Sequence, residues 1–178
     1  MNKALFLDRD GIVNVDHGYV YKKDNFEFMD GIFELCQKAL KLNYQIIIIT
    51  NQSGIARGYY TENEFIQLTS WMTAEFLKNN IVITEVFYCP HHPTSAIPKY
   101  KKQCACRKPN PELIIKAKEK YNIDLSKSVF VGDKETDMKA AQNANIDNRI
   151  LVASKYDQVS DVATTIVTSV NEVVEKIT

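Results

Sequence analysis

A parallel α/β sheet with helices on both faces is the fold class this sequence predicts, and three observations predict it. Short β-rich apolar runs recur along the chain, amphipathic stretches separate most of them, and each polar cluster suited to chemistry follows a run or opens a helix. The runs are 4–7, 45–50, 82–88 and 128–131, with a weaker fifth at 149–152. Asp30 can cap a helix carrying Ile32, Leu35, Cys36, Ala39 and Leu40 on one face. Thr61-x-x-Glu64 is a capping box ahead of Phe65, Leu68, Met72 and Phe76. Asn110-Pro111 opens another helix with proline at its first position, and 136–145 and 169–177 complete the set, the latter with Ser169 and Glu172 as a second box. Such alternation implies crossovers of one hand, parallel strands and ligands bound at the strands' carboxyl ends.

The 178 residues, 45% of them hydrophobic, suffice for one core, and we expect a single domain over 1–178. With 22 basic and 22 acidic residues the formal charge is zero, which gives no steering toward nucleic acid. No apolar stretch is long enough to span a bilayer, and Met1-Asn2-Lys3 leads straight into the first strand rather than a signal sequence. Neither nucleic acid nor membrane is an expected partner, and the chain reads as cytoplasmic. Four cysteines in that compartment suit metal ligands or core positions better than disulfides.

Asp8-Arg9-Asp10-Gly11 directly follows the first run. Side chains alternate along an extended chain, so Asp8 and Asp10 project to one side and Arg9 to the other, while Gly11 lets the backbone turn. Two carboxylates facing one small space call for a shared proton or a hard cation such as Mg²⁺, and the remaining motifs favour the cation. Thr50-Asn51-Gln52-Ser53-Gly54, at the second run's end, can hydrogen-bond an oxyanion, and Gly132-Asp133-Lys134-x-x-Asp137 forms a third acidic turn. Arg107-Lys108 supplies two cations. Each fragment alone would be an ordinary turn, helix cap or solvated charge pair; the ordered set carries the weight.

Cys89-x-His91 and Cys104-x-Cys106 offer three thiolates and one imidazole, a set suited to tetrahedral Zn²⁺. Protein would fill all four positions, making the site structural, with His92 as the alternative to His91. Cys36, on an apolar helix face, reads as core. A metal clip would hold the polar segment 90–103 in shape and set Arg107 and Lys108 beside a fixed ligand. Lys99, Lys101 and Lys102 lack aromatic interleaving and read as a solvated face.

The ordered set from Asp8 to Asp137 resembles the haloacid dehalogenase superfamily of phosphotransferases, which implies a Rossmann-like sheet of that type. In that resemblance Asp8 attacks phosphorus, and Asp10 protonates the leaving group and then activates water. Mg²⁺ is held by Asp8, the Asp10 carbonyl and Asp133; Thr50 and Lys108 hold the phosphoryl oxygens; Asp137 orients the site. Ile12 departs from the threonine that often follows the motif's glycine.

The longer segments 14–20, 26–28, 50–58, 88–93, 106–109 and 131–134 are similar to the D-glycero-D-manno-heptose-1,7-bisphosphate 7-phosphatases, zinc-loop members of that superfamily. The similarity implies a substrate loop at Asp16, His17, Gly18 and Tyr19, contacts on the phosphoryl side from Thr50, Asn51, Gln52 and Ser53, distal-phosphate contacts from Arg107, and a further contact from Lys134. It implies a Mg²⁺-dependent phosphatase that yields heptose 1-phosphate for nucleotide-activated heptose, destined for lipopolysaccharide core or another surface glycan. The intervals 14–45 and 54–107 leave no room for a cap domain beyond the zinc loop at 89–106, so an open site would take a small sugar bisphosphate, and a monomer would suffice. Histidinol-phosphate phosphatase is the runner-up, followed by a polynucleotide 3'-phosphatase and a non-catalytic zinc-stabilised interaction module. The anomer preferred is left open, and the stretch after Val152 matches the family less well.

Overall fold

The tetrad Ile46-Ile47-Ile48-Ile49 has no polar side, which suits a strand covered on both faces. In the computed structural model, which describes residues 1–178, it lies in the interior of a six-stranded parallel sheet. The strands are β1 (Lys3–Leu7), β2 (Tyr44–Asn51), β3 (Ile83–Cys89), β4 (Val129–Gly132), β5 (Asn148–Val152) and β6 (Thr165–Val167), arranged β3-β2-β1-β4-β5-β6. The helices are α1 (Ile32–Lys41), α2 (Ser53–Ala56), α3 (Glu62–Lys78), α4 (Glu112–Tyr121), α5 (Glu135–Asn143) and α6 (Val170–Lys176).

Alternation along the strands sorts the core into two layers. Leu5, Leu7, Ile46, Ile48, Val129 and Val131 meet α1, α3 and α6 on one face. On the other, Ala4, Phe6, Ile47, Ile49 and Phe130 meet α4 and α5. β1 pairs with β2 and with β4, setting Leu5 opposite both Ile46 and Val129. The chain therefore builds outward from β1 to β3 and then returns to the other flank for β4. A crevice opens at such a reversal, outside the carboxyl ends of β1 and β4.

Several helix boundaries differ from expectation. The capping box at Thr61 and Glu64 is complete, whereas α1 is capped by Gly31, not Asp30. The Asp30 carboxylate accepts instead from Asn171 Nδ2 at 3.3 Å. Pro111 is the N-cap of α4 and precedes its first position. The second box is half made, because Ser169 accepts from the Glu172 amide while the Glu172 carboxylate turns to Thr168. β6 was not expected; three residues are too few to display a period. Asn43, Asn80, Asn122 and Asn145 follow or close helices with φ between 51° and 64°, a left-handed conformation that asparagine tolerates.

Between β1 and β2 the chain forms a loop with one 3-10 turn and α1, and between β3 and β4 a cysteine-rich loop, α4 and two 3-10 turns, so neither interval holds a cap domain. No helix is long and apolar enough to cross a membrane. At the end of β4 the backbone approaches α5 so closely that a Cβ on Gly132 would stand 2.4 Å from the Asp137 Cβ. We expect Gly132→Ala to lower unfolding free energy by about 1–3 kcal/mol in urea titrations; an unchanged midpoint would show that this approach tolerates a methyl group.

Candidate active site

Three carboxylates converge in the crevice. Asp8 is the first residue past β1, Asp133 the first past β4, and Asp137 lies in the first turn of α5; oxygens from all three lie within 4.8 Å of one another. The Lys108 ammonium sits among them, 2.7 Å from Asp8 Oδ1, 2.7 Å from Asp137 Oδ1 and 2.8 Å from the Ile49 carbonyl. Asp137 Oδ2 in turn accepts from the amides of Asp133 and Lys134, at 3.2 and 3.1 Å. All four side chains are buried.

Burial, the neighbouring Asp137 charge and incomplete compensation by Lys108 push the Asp8 carboxyl up to about 6. Burial, then Asp8 and Asp137, push Asp133 up to about 8. Burial disfavours the Lys108 ammonium, but Asp137 and Asp8 outweigh it and raise its pKa above the usual lysine range. Asp133 Oδ1 is buried without a hydrogen-bond partner. An all-oxygen donor set with excess negative charge and an orphaned carboxylate oxygen fits a hard cation such as Mg²⁺. Gly11 is required beside it: its φ is +95°, and a Cβ there would lie 2.3 Å from Asp133 Oδ2.

Asp10 departs from expectation. Its carboxylate does not join Asp8 but turns to Arg9 Nη2 at 2.8 Å, Asn14 Nδ2 at 3.0 Å and Gln52 Nε2 at 3.1 Å. Burial alone would raise its pKa, yet Arg9 and these hydrogen bonds prevail and hold it below the usual carboxylate range. Arg9 is 1% exposed, donates also to the Val20 carbonyl at 2.7 Å, and lies 5.9 Å from each of the Phe26 and Phe65 ring centroids. Sequence reasoning missed both Arg9 and Asn14; an arginine between two carboxylates was the available signal.

The other residues expected to make contacts stand in differing states. Thr50 Oγ1 accepts from Gln52 Nε2 at 2.9 Å, and Gln52 Oε1 accepts from Tyr60 Oη at 2.5 Å. Asn51 is engaged at both ends by the Lys108 backbone, its Oδ1 accepting from the amide at 3.0 Å and its Nδ2 donating to the carbonyl at 3.2 Å. It therefore anchors the Lys108 backbone. Ser53 opens α2. Asp16 Oδ1 accepts from the Gly18 amide, His17 pairs with Glu27 at 2.9 Å, and Tyr19 packs edge-on against Tyr59 with centroids 4.6 Å apart. Arg107 has a buried Nη1 with no partner, and Lys134 is the N-cap of α5. The turn 154–157, missed in the sequence, packs on this rim: Tyr156 Oη donates to Asp16 Oδ2 at 2.8 Å.

Next to the crevice, Cys89, His91, Cys104 and Cys106 present donor atoms within 4.8 Å of one another. Cys106 Sγ lies 3.3 Å from His91 Nδ1 and 3.4 Å from Cys104 Sγ. His92 is engaged elsewhere, with Nδ1 accepting from Thr94 and Nε2 facing Arg57. The donor set, three sulfurs and one imidazole nitrogen with none redundant, fits a tetrahedral thiophilic ion. Hydrogen bonding from Cys89, opposed by burial and aided by His91 and Cys104, pushes the Cys106 thiol down to about 5, toward the thiolate a metal needs.

Comparison with known proteins agrees with this geometry. A family model described as HAD-hydrolase-like matches residues 105–178. The chain is 43% identical over 173 residues to the D-glycero-beta-D-manno-heptose-1,7-bisphosphate 7-phosphatase of Vibrio cholerae, covering 96% of this chain and 93% of that protein. It is 49% identical over 150 residues to the D-glycero-alpha-D-manno-heptose-1,7-bisphosphate 7-phosphatase of Campylobacter jejuni, covering 84% and 82%. The crystal structure of D,D-heptose 1,7-bisphosphate phosphatase from B. bronchiseptica, complexed with magnesium and phosphate, superimposes with a TM-score of 0.80 at 26% identity, covering 98% of this chain and 97% of that one. Identity at this level, sustained along nearly the whole length of both proteins, means that the chain belongs to the D-glycero-D-manno-heptose-1,7-bisphosphate 7-phosphatase family of haloacid-dehalogenase-like hydrolases.

Proposed function

We propose that this protein removes the 7-phosphate from D-glycero-D-manno-heptose 1,7-bisphosphate, leaving heptose 1-phosphate for nucleotide-activated heptose synthesis. The single observation that carries this reading is near full-length identity to phosphatases of that name, joined to a crevice with a buried aspartate at the end of β1. It is read as a cytoplasmic enzyme, where free thiols persist, and as a monomer, for which a crevice without a cap is adequate.

In the first half-reaction an Asp8 oxygen bonds to the 7-phosphorus as the bond from phosphorus to the sugar oxygen breaks, and Asp10 gives the departing oxygen its proton. In the second, Asp10 takes a proton from water, the hydroxide bonds to phosphorus, and the bond from phosphorus to Asp8 breaks to release phosphate. An ionised Asp10 suits the second half. For the first, the negative charge of an incoming phosphate raises its pKa and favours the protonated form. Lys108 and Thr50 hold phosphoryl oxygens, Arg107 receives the distal phosphate, and Asp16 to Tyr19 with Lys134 meet the sugar. Asp137 fixes Lys108 and the turn at Asp133. Asp8, Asp133 and the Asp10 carbonyl would hold Mg²⁺, which would supply charge neutralisation between carboxylate and phosphate. Zn²⁺ at Cys89, His91, Cys104 and Cys106 would be structural.

Phosphate release from both heptose anomers and from histidinol phosphate tests the substrate. We expect kcat/KM to favour one heptose anomer by orders of magnitude; preference for histidinol phosphate would keep the chemistry and overturn the substrate. Asp8→Asn should abolish release, and Asp10→Asn should lower kcat by roughly 10²- to 10⁴-fold while substrate still binds.

The acid cluster makes stability depend on pH. Asp8 and Asp133 carry raised pKa values in the folded, metal-free state, so folding takes up protons. The contribution of these two carboxyls to metal-free stability is then greatest below the unfolded carboxyl range and falls as pH rises through about 6 and about 8, while Asp10, held below its usual range, contributes in the opposite sense at the acid end. Mg²⁺ relieves that repulsion and competes with protons, so it should raise Tm more at about pH 8 than at about pH 5. Equal shifts at the two would speak against cation binding at these carboxylates.

Cys104→Ala should lose bound zinc, read by elemental mass spectrometry, and unfold with a stability loss of about 3 kcal/mol or more. Retained zinc or an unchanged Tm would remove Cys104 from the ligand set.

A further inference from the structure

The turn after β5 is anchored twice to the crevice. Ser154 Oγ donates to the Asp133 carbonyl at 2.8 Å and accepts from the amides of Tyr156 and Asp157, at 3.1 and 3.4 Å. Asp157 Oδ2 accepts from the Glu135 amide at 2.8 Å, satisfying a donor in the first turn of α5. The turn is thus fixed to the strand end that bears Asp133 and to the helix that starts beyond Lys134.

Both residues between those anchors reach across to Asp16. Tyr156 Oη donates to Asp16 Oδ2 at 2.8 Å, and Lys155 Nζ to the Asp16 carbonyl at 3.2 Å. Asp16 Oδ1 already accepts from the Gly18 amide at 2.9 Å, so both oxygens of this rim carboxylate are held. The Lys134 ammonium stands 4.3 Å from the Tyr156 ring centroid, within cation–π range. A cleft of about 260 Å³, lined in part by Asp16, Asp133, Ser154, Lys155 and Tyr156, opens among these groups.

We propose that Tyr156 is a positioning residue that sets selectivity for a polyhydroxylated sugar phosphate, by fixing the Asp16 carboxylate and the Lys134 ammonium toward the sugar. The proposal rests on the substrate reading above. Each Asp16 oxygen is held once and keeps a second acceptor direction free for a sugar hydroxyl. A carboxylate fixed before binding loses less rotamer freedom when the sugar arrives, so the hydroxyl contact adds more affinity. Phosphate esters without hydroxyls gain nothing from this arrangement.

Tyr156→Phe tests it, since phenylalanine keeps the ring beneath Lys134 and removes only the donor to Asp16. We expect selectivity, the ratio of kcat/KM for the preferred heptose bisphosphate to that for p-nitrophenyl phosphate, to fall roughly tenfold, mainly through KM for the sugar. In an Asp16→Ala background the same change should alter selectivity by less than about twofold, because the group being positioned is gone. Equal losses on both substrates would indicate a merely structural tyrosine and overturn the proposal, as would unchanged selectivity or full additivity with Asp16→Ala. If the unmodified protein hydrolyses p-nitrophenyl phosphate yet prefers neither heptose anomer to it, the substrate reading itself fails and this proposal falls with it. A heptose preference that Tyr156→Phe leaves intact sinks the proposal alone.

Discussion

One ammonium held among three buried carboxylates is the interaction on which the rest depends. Taking these charges out of water costs several kcal/mol per ion, and removing one partner of such a pair typically costs about 3–5 kcal/mol because the other is left uncompensated. Lys108 comes from a point 100 residues beyond Asp8, so the cluster joins the end of β1, the segment after the cysteine-rich loop and the start of α5. Asn51 grips the Lys108 backbone at both its amide and its carbonyl, and Asp137 spends one oxygen on Lys108 and the other on two backbone amides. One lysine cannot balance three carboxylates, and the surplus negative charge is what gives a divalent cation its place.

Legibility in the sequence followed the range of the interaction. Asp8, Thr50 and Asp133 stood out because strand ends are local features and a parallel sheet gathers its carboxyl ends at one edge. The partners of Asp10 were not legible, for a non-local reason. Alternation sends it to the side of Asp8, but the Arg9 guanidinium is trapped between Phe26, Phe65 and the Val20 carbonyl and draws the Asp10 carboxylate to itself. No local pattern announces a partner chosen by rings 17 and 56 positions away. The same holds for the turn at 154–157, whose meaning appears only once Asp133, Glu135 and Asp16 are neighbours. The choice between His91 and His92 likewise needed the fold, since spacing admitted both.

The cysteine cluster does not hold its loop alone. Glu62, in the first turn of α3, accepts from Tyr88 at 2.6 Å and from Tyr100 at 2.9 Å, tying β3 and the far side of the loop to one carboxylate. These hydrogen bonds hold Glu62 below its usual range, with burial in opposition. Ser95 Oγ donates to the Ala56 carbonyl at 2.5 Å and fastens the loop's tip to α2. A polar segment with no core of its own is thus fixed at three places, and the last of its cysteines is followed directly by Arg107 and Lys108. The loop's shape is set so that Lys108 can be.

The uncapped crevice bears on the timing of the proposed reaction. In an enzyme with a lid, water and product wait on a hinge, and opening can limit the rate. Here no inserted domain stands over the strand ends, so in the proposed reaction water would reach a phosphorylated Asp8 without a lid having to open, and hydrolysis would have the advantage over transfer to a second alcohol. Phosphate could leave without any segment swinging aside. In that reading the reaction would proceed without a lid's shelter, and discrimination among substrates would rest with the rim loops at the moment of binding.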